Sequence, residues 1–179
     1  MKWLIFNLFL SWIIVFSSNH LESFEAEKRQ TDFTQEQEYI VRWARKNLPQ
    51  TGTLREGRHG YVYLKVDDDY INQLFPMLPY RGYTKPPYFR RPDSPGAHIS
   101  VMYVNERNRS GEIKEIGQKF SFRITGFASV PPRTHKYIVL EVDAPDLEQF
   151  RQRYNLSPLL HGHKFHITIA KKKRRLNFS

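Results

Sequence analysis

Tyr61-Val62-Tyr63-Leu64-Lys65-Val66-Asp67 is the stretch on which the fold turns, because it returns as Tyr137-Ile138-Val139-Leu140-Glu141-Val142-Asp143. Both runs are rich in β-branched and aromatic residues and read as strands. Each is followed by a helical pattern with a Leu/Phe face. The first, Asp67 to Leu78, opens on an acidic cap and is disturbed near its end by Pro76; the second is Ala144 to Leu156. Both then pass through a loop to a strand that carries His98-Ile99-Ser100 or His166-Ile167-Thr168. The chain therefore reads as two copies of one strand–helix–strand unit, the first with a longer connection whose excess lies in Pro79 to Ala97.

Working outward, Gln118 to Val130 between the copies alternates Phe120, Phe122 and Ile124 and predicts one strand, stopped by Pro131-Pro132. Thr31 to Leu48 has apolar residues near helical spacing and predicts a helix, and Pro49 to Gly60 reads as loop. The expected fold class is α+β: a bilobal, duplicated domain with two antiparallel-type sheets around a central cleft and helices outside. The expected boundaries are a signal peptide or anchor over 1–18, a linker and N-terminal helix over 19–59, the domain over 60–172 and a basic tail over 173–179.

In a strand, residues i and i+2 share a face. His98 and Ser100 therefore point one way and Ile99 and Val101 the other, and the same holds for His166 and Thr168 against Ile167 and Ile169. Two imidazoles brought together can divide a phosphoryl transfer, one accepting a proton from the attacking oxygen and one giving a proton to the leaving oxygen. The hydroxyls can donate to the non-bridging phosphate oxygens. The alternative is that both are ordinary strand histidines; what speaks against it is their equivalent place in a repeated unit.

These residues carry a resemblance. His98-Ile99-Ser100-Val101 and His166-Ile167-Thr168-Ile169 resemble the paired His-x-Thr/Ser-hydrophobic motifs of the 2H phosphoesterase superfamily, which includes 2′-5′ RNA ligase-like proteins and RNA cyclic phosphodiesterases. The resemblance covers about Gly60 to Lys172. It implies a bilobal α+β fold with a central cleft, His98 and His166 as general acid and base, Ser100 and Thr168 as phosphate ligands, and activity on cyclic phosphate or 2′-5′ bonds without a cofactor. Ser100 stands where threonine is common in the family.

The formal net charge of +10 and the pI near 9.8 point to a polyanionic partner, RNA or a nucleotide, or to an anionic membrane surface. With no cysteine, thiol catalysis and thiolate metal sites are excluded. In the loop before the first motif, Tyr88 and Arg90 belong to an aromatic and basic mixture that either binds substrate or covers the lobe beneath it. Lys171 opens the run KKKRR and is placed to reach a phosphate, unless the run is a solvated tail. His161, His163 and His166 have no acidic residue near them in sequence, and no metal is expected. A non-catalytic RNA- or nucleotide-binding module is the alternative function. The apolar stretch from Trp3 to Ser18 reads as a signal peptide of a secreted or periplasmic monomer, or, uncleaved, as a membrane anchor.

Overall fold

The computed structural model describes residues 34–89, 94–130 and 135–173. The apolar stretch read as a signal peptide, Arg90 and the end of the basic tail lie outside the described residues. Glu38–Ser179 forms one compact unit, and of the other unit, Met1–Gln37, only 34–37 are described.

The first helix, α1, covers 34–47, and Ile40, Val41 and Ala44 on it, with Leu48 just beyond, are buried in the core. There follow β1 (Thr51–Glu56), β2 (Val62–Lys65), α2 (Asp69–Asn72), β3 (His98–Met102) and α3 (Val104–Arg107). The second half comprises β4 (Lys119–Ser121), β5 (Arg123–Val130), β6 (His135–Asp143), α4 (Pro145–Arg153) and β7 (His166–Lys173). Helix α2 is shorter than the sequence pattern, and a separate 3-10 turn, Phe75–Met77, holds Pro76 in its first turn, where a missing N–H is tolerated.

The expectation of two sheets flanking a cleft is overturned. The described residues form one seven-stranded sheet in the order β4-β1-β2-β3-β7-β6-β5. The two halves of the chain are fused at its centre, where β3 pairs antiparallel with β7 through Ile99 opposite Ile167. Two residues with no exposed surface stand at that join, so separating the halves would expose both.

The segment expected to be one strand over Gln118 to Val130 is two. Strand β4 pairs with β1 at one edge of the sheet and β5 pairs with β6 at the other, with only Phe122 between them. One residue spans roughly 3.5 Å, so the two edges must approach each other and the sheet rolls toward a barrel. Gln50 fastens the join: its carbonyl accepts from Phe122 N at 3.0 Å and its side-chain Oε1 from Ile124 N at 2.9 Å. The Arg45 Nε group adds a bond to the Ile124 carbonyl at 2.9 Å.

Part of the stretch expected to be loop, Pro49 to Gly60, is strand β1. Gly52 is the reason it packs: a Cβ there would fall 2.6 Å from the Lys65 carbonyl oxygen and 2.7 Å from the Leu64 side chain. A residue that reads as a breaker in sequence here permits two strands to approach.

The core lies on one face of the sheet. Leu54, Leu64, Ile99, Ile138, Leu140 and Ile167 point there and meet Tyr70 and Ile71 of α2 and Leu147 and Phe150 of α4. Alternation sends the intervening residues of the same strands to the opposite face.

Candidate functional site

The central strands bring the two histidine motifs side by side. With Ile99 opposite Ile167 in an antiparallel pair, one step either way sets His98 opposite Thr168 and Ser100 opposite His166. Directly opposed residues have Cβ atoms about 5 Å apart and diagonal ones about 7–8 Å apart. The four side chains thus mark a square on the face away from the core, with the imidazoles on one diagonal and the hydroxyls on the other.

The flanking strands treat the two motifs alike. Leu64 stands opposite Ile99 and Leu140 opposite Ile167, while Lys65 stands opposite His98 and Glu141 opposite His166. Between Val62 and Tyr63 the partner jumps from Met102 to Ser100, passing over Val101; between Ile138 and Val139 it jumps from Ala170 to Thr168, passing over Ile169. Each motif's fourth residue is therefore the extra residue of a β-bulge.

Both rings are held in the same way. His98 Nδ1–H donates to the Gly96 carbonyl at 2.8 Å, and His166 Nδ1–H donates to the Lys164 carbonyl at 3.0 Å. A carbonyl can only accept, so in the neutral rings the proton sits on Nδ1 and Nε2 keeps its lone pair. Each ring is anchored two residues upstream and offers the other nitrogen for proton transfer.

The environments differ. His98 is 8% exposed, enclosed by the rings of Tyr88 at 4.6 Å, Tyr63 at 5.6 Å and Tyr61 at 5.9 Å. Burial holds its pKa below the ordinary imidazole value; the nearby Lys65 and His166 push the same way, and the bond to Gly96 opposes them. Lys65 is itself paired with Asp68, which also accepts from Ala97 N at 2.8 Å and so fixes the approach to the motif. Gly96 has φ +63, and a Cβ there would collide with Asp68 and Lys65, so glycine is required for the chain to pass that ion pair. On the other side, His166 is half-buried and Glu141 bonds Lys164 at 3.4 Å.

Each hydroxyl has a tyrosine. Tyr61 and Ser100 share a hydrogen bond of 2.6 Å, and the Tyr88 hydroxyl lies near that of Thr168. Burial raises the pKa of both tyrosines above the ordinary phenol value, so both remain neutral hydroxyls able to donate. Tyr88 is reached by a loop tied to β7: Thr84 N donates to the Lys171 carbonyl at 2.8 Å and Lys171 N to the Thr84 carbonyl at 3.0 Å.

Of the residues singled out in the sequence, His98, His166, Ser100, Thr168 and Tyr88 come together. Lys171 stands opposite Tyr137, two residues from Val139, so it shares the face of Thr168 one row further along. It belongs to β7, which continues through Lys173, and not to a tail. Sequence reading missed Tyr61, Lys65, Glu141 and Tyr103, and weighed His161 only as a metal ligand. A cavity of about 50 Å³, room for a few waters or one phosphate group, is lined by Ser100, His166, Phe165, Tyr103 and His161 among others. Lys65 and Glu141 were within reach of the argument, since each occupies the same position of the repeated strand. Among the described residues no group of three or more His, Cys, Asp or Glu is arranged to hold a metal ion, and no helix is long and apolar enough to cross a membrane.

The model for the Swiss Army Knife, 2H phosphoesterase domain matches residues 62–177, well over half of the chain. No curated protein and no solved structure matches it.

Proposed function

Because the chain belongs to the 2H phosphoesterase family, we propose that it is a metal-independent phosphoesterase that acts on cyclic phosphate or 2′-5′ phosphodiester bonds of RNA or nucleotides. The observation that carries this reading is the register of β3 on β7, which gives His98, Ser100, His166 and Thr168 the four corners of one square. The matched registers and bulges on either side support reading the two halves as copies of one unit.

His98 acts as the base. Its pKa lies below the ordinary imidazole value, so at neutral pH it is unprotonated with a free lone pair on Nε2. It takes a proton from water as that oxygen bonds to phosphorus. The bond from phosphorus to the ester oxygen breaks, and that oxygen receives a proton from Nε2–H of His166, across from which stands Glu141. Ser100 and Thr168 donate to the non-bridging oxygens, each oriented by its tyrosine. The charge of +10 favours a polyanionic substrate over a long range.

The test is turnover of 2′,3′-cyclic nucleotides, 2′-5′ oligoadenylate and ADP-ribose cyclic phosphate, with and without EDTA, by the wild type and by His98→Ala, His166→Ala and the double variant. Each single change should lower turnover about a hundredfold or more, and the double variant should be little worse, because the pair acts as a unit. Binding of all three substrates without turnover in the wild type would instead support a binding module. Loss of activity in EDTA with restoration by a divalent ion would sink the mechanism.

A further inference from the structure

We propose that Tyr103 and His161 form a subsite for a nucleobase, next to the place proposed for the phosphate; the proposal rests on the reading of the protein as a phosphoesterase of nucleotides. The bulge at Val101 prepares it. Passing over Val101 turns Met102 into the core, where it has no exposed surface, and returns Tyr103 to the face that carries Ser100.

There the Tyr103 ring ends a ladder of three. Tyr63 stacks on Tyr61 at 5.5 Å with 21° between planes, and Tyr61 on Tyr103 at 6.1 Å with 18°. The inner two rings are largely covered, while Tyr103 is 40% exposed. Tyr103 N donates to Glu106 Oε2 at 3.1 Å, which fixes the backbone beneath the ring.

His161 faces it from the other motif's side, at 4.9 Å between centroids and 48° between planes. It sits in a tight turn closed by the bridge of Leu160 to His163, with φ +52, a left-handed conformation uncommon for a residue other than glycine. Strain of this kind concentrates at functional positions. A cavity lined by both residues is also lined by Ser100 and His166. It is too small for a base, so the base lies at its rim against the exposed part of Tyr103, with the phosphate at the neighbouring square of His98, Ser100, His166 and Thr168. Stacking on an aromatic ring tolerates any base, since every base has a π-face, and the proposed preference is for a nucleotide over a baseless sugar phosphate.

The experiment compares kcat/KM for 2′,3′-cyclic AMP with that for methyl β-riboside 2′,3′-cyclic phosphate, which lacks the base. The wild type should favour the nucleotide by about tenfold or more, mostly through KM. Tyr103→Ala and His161→Ala should each reduce that ratio several-fold, and Tyr103→Phe should keep it, because stacking does not need the hydroxyl. A ratio near one in the wild type, or one unmoved by Tyr103→Ala, overturns the subsite and leaves the phosphoesterase reading standing. If the wild type turns over neither compound, hydrolysis of 2′,3′-cyclic phosphates fails as the activity. The subsite is then decided by calorimetric binding of adenosine 2′-monophosphate against methyl riboside 2′-phosphate: equal affinities overturn it, and a preference lost in Tyr103→Ala supports it.

Discussion

At the scale of single residues, the His-x-Ser and His-x-Thr pairs were legible because a strand puts i and i+2 on one face whatever surrounds it. Their tyrosine partners were not. Tyr61 meets Ser100, and Tyr88 meets Thr168, across sequence separations that only the folded sheet closes. The enclosure of His98 has a consequence for stability. Its folded pKa lies below the 6.5 of a free imidazole, chiefly through burial. Between 6.5 and the folded value the unfolded chain therefore binds a proton that the folded chain does not, and stability falls as pH falls through that window and is flat above it. Urea midpoints measured from pH 8 to pH 5 should show a weaker decline in His98→Phe than in the wild type. Parallel curves would mean that His98 titrates alike in both states.

At the scale of elements, the bulges explain a feature that looks merely structural. Strand β3 passes over Val101 in its ladder with β2, and Arg151 of α4 donates to the Val101 carbonyl. The same guanidinium bonds Glu106 of α3 at 2.8 and 3.2 Å and the Ser157 carbonyl at 2.7 Å, and its side chain has no exposed surface. Burial alone would raise the pKa of Glu106, but the bonds from Arg151 and Tyr103 outweigh it and hold the carboxylate below its usual range. Arg151→Met leaves a carboxylate and a strand carbonyl without their partner and should cost about 3–5 kcal/mol. Arg151→Met with Glu106→Leu should recover part of that loss, because no uncompensated charge stays behind. A single variant as stable as the wild type in guanidinium would show that the pair carries no such cost. None of this was legible in sequence, where Arg151 is one of two arginines on an amphipathic helix. The missed strand β1 has a similar cause, since Pro49 to Gly60 reads as loop until Leu64 and Lys65 are known to lie against Gly52.

At the scale of the whole molecule, the repeat suggested two lobes, and the prediction of two sheets assumed that each copy closes on itself. The two halves instead complete one another: β3 and β7 are their inner strands, and each would present an unpaired edge if the halves stood alone. The short Phe122 link then draws the outer strands β4 and β5 together at the far side. A sheet joined at its centre and fastened where its edges approach has no place to divide, so unfolding of Glu38–Ser179 should be a single cooperative transition. Ile167→Ala opens a cavity at the central join and should cost about 2–5 kcal/mol. The loss should appear equally on both sides of the join: amide exchange should speed by the same factor in β2 and in β6, because both are released by the same global event. Two separated transitions in guanidinium, or faster exchange in β6 with β2 unchanged, would mean that the halves fold as independent lobes after all.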